Sequence, residues 1–169
     1  MAGRSKDLDA LAIYCNSFDF NVLSPHIPTP GKLAPAAERG KALFFSEGVG
    51  CAKCHGGPYY TDSSLKKPFN LHDVGTGNDD PTEKMGPKYD TPTLLGVYRT
   101  APYLHHGRAK TLTDVLTTCN KEDRHGKTSH LKPGQLEDLV AFLKALPYEY
   151  PPDETPNTVK DRVPPKRKE

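Results

Sequence analysis

In the run Cys51-Ala52-Lys53-Cys54-His55, residue types and spacing alone define a chemistry. Thiols three positions apart on a helical turn face the same side, and the next residue projects its imidazole beside them. This is the pattern in which both cysteines form thioethers with the vinyl groups of a haem and the histidine takes an axial position on its iron. Other chemistries fit the pair less well. Structural zinc takes four ligands, commonly as two close pairs, whereas the remaining cysteines, Cys15 and Cys119, stand far apart in the sequence. A thioredoxin-like dithiol needs a βαβ setting, and no such pattern flanks Cys51. The sequence therefore predicts one covalent haem c, with Cys51, Cys54 and His55 as its binding residues.

A haem held in this way needs helices on either side of its attachment turn. Ser5 to Phe18 carries Leu8, Leu11, Ala12 and Cys15 at helical spacing, with Ser5 as the N-cap. Asp19 to Pro35 is proline-rich and reads as an extended linker. A second helix is predicted from Pro35 through Phe44, proline suiting its first turn, with Gly48-Val49-Gly50 ending it ahead of Cys51. Gly56 to Thr100 has no sustained period and reads as a long ordered loop around the cofactor. Leu112 to Thr118 is a short helix, and Thr111 and Asp114 stand at capping-box spacing. The last helix starts at Pro133, carries Leu136, Leu139, Val140 and Leu143 on one face, and stops before Pro147. Tyr148 to Glu169 is a charged, proline-rich tail.

The predicted fold class is thus all-α, with long haem-wrapping loops and an extra N-terminal helix. Residues 1–34 form that helix and its linker, 35–147 the haem domain and 148–169 the tail.

Composition agrees. Hydrophobic residues make up 35% of 169, and there are 17 prolines and 14 glycines. That is a thin supply for a packed core of this length, which a buried haem would complete. A formal charge of +2 from 23 basic and 21 acidic residues argues against nucleic-acid or membrane-surface binding. No run has the length of a transmembrane helix. Met1 to Ala10 lacks the apolar core of a signal peptide, so a mature, recombinant or partial chain is expected. Covalent haem attachment places the protein in the periplasm or outside the cell.

Beyond the five-residue motif, Gly40 to Leu146 resembles the C-terminal haem domain of the bacterial di-haem cytochrome c peroxidase and MauG superfamily. The matching pieces, in order, begin with Arg39-Gly40-Lys41-Ala42-Leu43-Phe44, Gly50 to Pro58 and Leu71-His72-Asp73-Val74-Gly75-Thr76-Gly77. They continue with Thr91-Pro92-Thr93-Leu94-Leu95-Gly96-Val97, Thr100 to Arg108, and Leu139 to Leu146. The resemblance implies a cytochrome c fold in which the helix before the haem crosses the C-terminal helix, Gly40 allowing close approach and Phe142 filling the contact. In the family, calcium takes the carbonyls that correspond to Thr100 and Pro102 with the rest of its support from a partner domain, and no match to that domain is seen in this sequence. Leu95 stands where relatives carry an arginine for a haem propionate, leaving Arg99 or Arg108 to substitute. His72 falls near the haem edge, and His105 has a structural or electron-path role.

The second axial ligand departs from the family pattern. Counting the family interval onward from His105 lands on Cys119, where relatives have methionine or tyrosine. His125, in the loop between the short helix and the last one, is the expected metal ligand beside His55. Cys119, His130, Met85 and an open position are the alternatives, since haem proteins use each of these arrangements. Cys15 and Cys119 are also candidates for a disulfide outside the cytoplasm.

Three functions follow from these readings. A closed six-coordinate iron predicts an electron carrier between redox partner proteins or another haem domain. An open iron predicts a peroxidase-type enzyme, with His105 or Glu83 as acid or base, or a gas-binding domain.

Overall fold

Pro35 starts the first core helix, and Gly40 decides what that helix can lie against. The computed structural model describes residues 5–16, 22–64, 67–77, 82 and 86–150. Among them the α-helices are α1 (Lys6–Asn16), α2 (Pro35–Phe44), α3 (Leu112–Leu116) and α4 (Pro133–Lys144). Two units are formed: Leu23–Glu149, and Met1–Val22 with Tyr150–Glu169. Helix α1 belongs to the smaller unit, and its Leu8 amide donates to the Ser5 hydroxyl at 3.4 Å, the N-cap position expected from sequence.

In the larger unit α2 and α4 pack on each other. Ala37, Gly40 and Phe44 form the buried stripe of α2, and Leu139, Phe142 and Leu143 that of α4. A Cβ at Gly40 would overlap the Asp138 carbonyl oxygen and stand 2.9 Å from Phe142 Cβ, so only glycine fits this crossing. One turn further along, Phe44 and Phe142 meet edge to face with centroids 5.2 Å apart, and Tyr60 joins them 5.8 Å from Phe44. Each such buried ring contributes about 1.5–3 kcal/mol through burial alone. On the outer side Arg39 grips Asp138 through two hydrogen bonds of 2.7 and 2.6 Å. The crossing implied by the resemblance is present, at the glycine and the phenylalanine anticipated.

Helix α3 has the expected capping box, with Asp114 N to Thr111 Oγ1 at 3.1 Å and Thr111 N to Asp114 Oδ2 at 2.9 Å. It stops at Leu116, short of Thr118. The Thr117 hydroxyl donates back to the Thr113 carbonyl at 2.7 Å, and the Thr117 backbone has left helical geometry.

Residues 23–34, expected as a linker outside the haem domain, pack into the same unit as α4. Ser24 donates its amide to Pro147 O at 2.9 Å and its hydroxyl to Lys144 O at 2.6 Å, and Gly31 N donates to Tyr148 O at 2.7 Å. A helix end leaves carbonyls without partners, and this stretch supplies donors to the end of α4. The boundaries at 34 and 147 therefore fall inside a continuous unit.

The long loop contains one antiparallel ladder, β1 (Leu71–His72) with β2 (Tyr89–Asp90), pairing Leu71 with Asp90 and His72 with Tyr89. The fold is mostly helical, and the ladder is an addition to the all-α expectation. Runs of two residues are too short to carry a readable period.

Candidate haem site

Gly50, at φ 80°, turns the chain out of the segment after α2 and into a 3-10 turn at Cys51–Lys53. A left-handed residue here has no side-chain penalty because it is glycine. The turn closes through His55 N to Cys51 O at 3.0 Å. Burial pushes the Cys51 thiol up to about 11 and raises that of Cys54 as well. Both sulfurs are therefore held as thiols, the opposite of the depressed values typical of catalytic dithiols.

His55 is oriented by its neighbours. Its Nδ1 lies 3.1 Å from the Tyr60 carbonyl, so the Nδ1–H donates there and the Nε2 lone pair is left for a metal. Burial lowers its basicity and favours this neutral form, while the Tyr60 carbonyl works in the other direction. Tyr60 itself sits at φ 52° and is anchored by the Phe44 ring, so the aromatic core sets the position of the carbonyl.

His125 comes from the segment between α3 and α4. Gly126, at φ 85°, brings that segment against the attachment turn: a Cβ there would lie 3.4 Å from Val49 O and 3.7 Å from Cys51 Sγ. Next to it, Lys127 N donates to Val49 O at 2.9 Å. The result is that His125 faces His55, with ring centroids 6.2 Å apart and planes inclined at 38°. Burial first, and then the nearby His55, push His125 down to about 4, so its ring is neutral with a free lone pair at physiological pH.

Two imidazoles sharing an iron, each with its nitrogen about 2 Å from the metal, place their centroids roughly 6 Å apart. The observed separation fits. Cys51 and Cys54 would anchor a haem here, and both imidazoles would be available to its iron.

The other sequence candidates have their own surroundings among the described residues. Cys119 lines a cavity of about 190 Å³ with Thr76, His106, Arg108, Thr118 and Lys121. Cys119 is a free cysteine, half-buried, and Cys15 is a free cysteine exposed on α1. His130 is exposed. Met85 and Glu83 lie outside the described residues. His105 stacks on Tyr89 with centroids 4.1 Å apart and planes at 18°. Of the two arginines weighed for a propionate, Arg108 borders the cavity, while Arg99 lies over the Tyr98 ring at 5.9 Å.

Sequence reasoning passed over two residues. Asp62 holds His72 Nε2 at 2.7 Å, and with Cys54 Sγ these ligating atoms lie within 4.8 Å of one another. Asp62 and His72 are thus a hydrogen-bonded pair beside Cys54. Asn120 accepts from the amide of His125 itself. A capping-type residue five positions before a candidate ligand was the available signal for Asn120; nothing in the loop pattern singled out Asp62.

No family model matches the chain. It is similar to hydrazine synthase subunit gamma of Kuenenia stuttgartiensis, 36% identical over 82% of this chain and 48% of that protein. It is also similar to the methylamine utilization protein MauG of Methylorubrum extorquens, 35% identical over 65% of this chain and 34% of that protein. Against the cytochrome c551 peroxidase of Pseudomonas aeruginosa, identity is 27% over 92% of this chain and 48% of that protein. The chain thus spans between a third and a half of these curated relatives.

Among solved structures, hydrazine synthase from Kuenenia stuttgartiensis matches with TM-score 0.65 and 32% identity, over 79% of this chain and 52% of that one. A MauG-like protein associated with microbial copper homeostasis matches with TM-score 0.54 and 25% identity, over 68% of this chain and 47% of that one. With the CxxCH at its centre, the chain belongs to the di-haem cytochrome c peroxidase and MauG superfamily of c-type cytochromes.

Proposed function

We propose that this chain carries one covalent haem c, anchored by Cys51 and Cys54 and ligated by His55 and His125, and that it passes single electrons between redox partners. The observation that carries this reading is the 6.2 Å separation of the two imidazole rings. The haem supplies a one-electron iron couple when bound. The chain's own residues bind it, orient it and keep a substrate from the metal. Tyr60 O fixes the tautomer of His55, and burial keeps His125 neutral for ligation. With both faces taken there is no free position for peroxide or a gas, which favours electron transfer over the peroxidase and gas-binding readings.

The partner is a redox protein or a neighbouring haem domain, a reading supported by the similarity to half of a protein named as a subunit. The compartment is the periplasm or the cell exterior, where covalent haem attachment takes place. Among the described residues no helix is long and apolar enough to cross a membrane.

The test is the visible spectrum of the dithionite-reduced holoprotein before and after carbon monoxide. An unchanged low-spin spectrum supports the closed site. Rapid conversion to a carbonyl complex overturns it and favours peroxide or gas chemistry.

A further inference from the structure

His125 lies on a segment with little regular structure, yet its backbone is held at every position from 125 to 128. Asn120, buried at 7% exposure, makes three hydrogen bonds through one side chain. Its Oδ1 accepts from His125 N at 2.8 Å, and its Nδ2 donates to Gly126 O and to Thr128 Oγ1, each at 2.8 Å. Thr128, buried at 2%, passes the connection on by donating its hydroxyl to Leu116 O at 2.6 Å.

The amide therefore brackets the candidate ligand, binding the N–H on its own residue and the C=O of the next. It also ties both to the last residue of α3. Both donor hydrogens and the acceptor are satisfied, which a buried amide requires.

The chain on the approach to His125 is strained. Glu122 and Asp123 are consecutive non-glycine residues with φ of 61° and 54°, a conformation that side-chain-bearing residues adopt only where their surroundings impose it. Asp123 is held there by Thr128 N at 3.0 Å, Ser129 N at 2.9 Å and the Ser129 hydroxyl at 2.6 Å.

We propose that Asn120 is the positioning residue for the second axial ligand: bracketing the backbone at His125 and Gly126 keeps the His125 imidazole on the iron and keeps external ligands off it. This rests on the bis-histidine reading above. Asn120 does not touch the metal; it acts through His125. Its consequence is kinetic. A rigidly presented histidine rebinds before a competitor enters, whereas one on a loosened loop spends more time dissociated.

The test compares the holoproteins of Asn120→Ala, Asn120→Asp, Thr128→Val and His125→Ala, each first checked for covalent haem by intact mass. The readouts are the ferrous carbon monoxide association rate and the fraction of high-spin iron. In Asn120→Ala the carbon monoxide rate should rise about tenfold or more, the factor carried by losing one satisfied buried hydrogen bond. Added imidazole should restore the low-spin spectrum. Asn120→Asp keeps the acceptor for His125 N and should fall between wild type and Asn120→Ala. Thr128→Val should change the rate in the same direction by less.

His125→Ala separates the two claims. If it stays low-spin, the bis-histidine reading fails and the inference goes with it. If it turns high-spin while Asn120→Ala, Asn120→Asp and Thr128→Val all keep the wild-type carbon monoxide rate, the positioning role alone is overturned. Should Asn120→Ala fail to assemble, the Asp and Thr128 variants decide by the same rate.

Discussion

Lys127 N donates to Val49 O at 2.9 Å, and that bond joins the segment bearing His125 to the turn that delivers Cys51. Haem anchor and candidate second ligand, more than seventy positions apart in sequence, are thereby neighbours in backbone terms. His125→Ala should convert a low-spin ferric spectrum to a high-spin one and open the ferrous iron to carbon monoxide. The same substitution at exposed His130 should leave both unchanged. A high-spin shift in His130→Ala but not in His125→Ala would reassign the ligand.

Gly40→Ala should destabilise the holoprotein by about 1–3 kcal/mol, the usual cost of forcing an extra methyl into a packed contact. The contact in question is with the Asp138 carbonyl, which cannot rotate away as a side chain would. Guanidinium unfolding followed by tyrosine fluorescence or circular dichroism measures it. Equal midpoints for variant and wild type would mean that the helices are not closely crossed.

Asp62→Asn should raise the haem midpoint potential by on the order of 50 mV, the one-electron equivalent of about 1 kcal/mol of lost carboxylate–haem interaction. Burial alone would raise this carboxyl, but hydrogen bonds from Thr91 and His72 outweigh it and hold it below the usual carboxylate range. It therefore stays ionised beside Cys54 and favours ferric iron. A spectroelectrochemical titration giving an unchanged or lower potential would remove Asp62 from the haem's electrostatic environment.

Acid should loosen the ligand segment. Asp123 is held low by the Ser129 hydroxyl and amide and by the Thr128 amide, and Asp73 by the Gly75 amide and Arg124. For a carboxyl whose folded value lies below its unfolded one, the stabilisation is present above about 3.9 and is lost as pH falls further. His125 acts in the same direction. Its folded value of about 4 lies below the ordinary value near 6.5, so keeping it neutral costs stability as pH falls between the two. The low-spin Soret band should hold at neutral pH and give way near pH 4. Persistence to pH 2, or loss above pH 6, contradicts this account.

Much of the site is legible in the sequence because its chemistry is local. Cysteine spacing and the adjacent His55 need no tertiary information, and the helices of the crossing show a regular period flanked by proline and glycine. The second ligand is harder. Counting along the chain points to Cys119, but α3 ends early at Leu116, and the buried side chains of Asn120 and Thr128 determine how the next residues turn. That turn puts His125 opposite His55, while Cys119 lines the cavity it shares with Thr76 and Arg108. Asp62, the partner of His72, was equally hidden. Their pairing depends on the fold of a long loop in which, among the described residues, the only ladder is two residues per strand.

The hydrogen-bonded bracket around His125 also bears on speed. Adding or removing an electron changes the preferred metal–ligand distances, and the work of rearranging the surroundings slows the transfer. A ligand whose backbone is pinned on both sides, opposite one whose ring is fixed by Tyr60, has little room to shift with oxidation state. On the proposed bis-histidine reading such a centre would have a low reorganisation energy, and the distance to its partner, not the motion of its ligands, would set how fast electrons leave it.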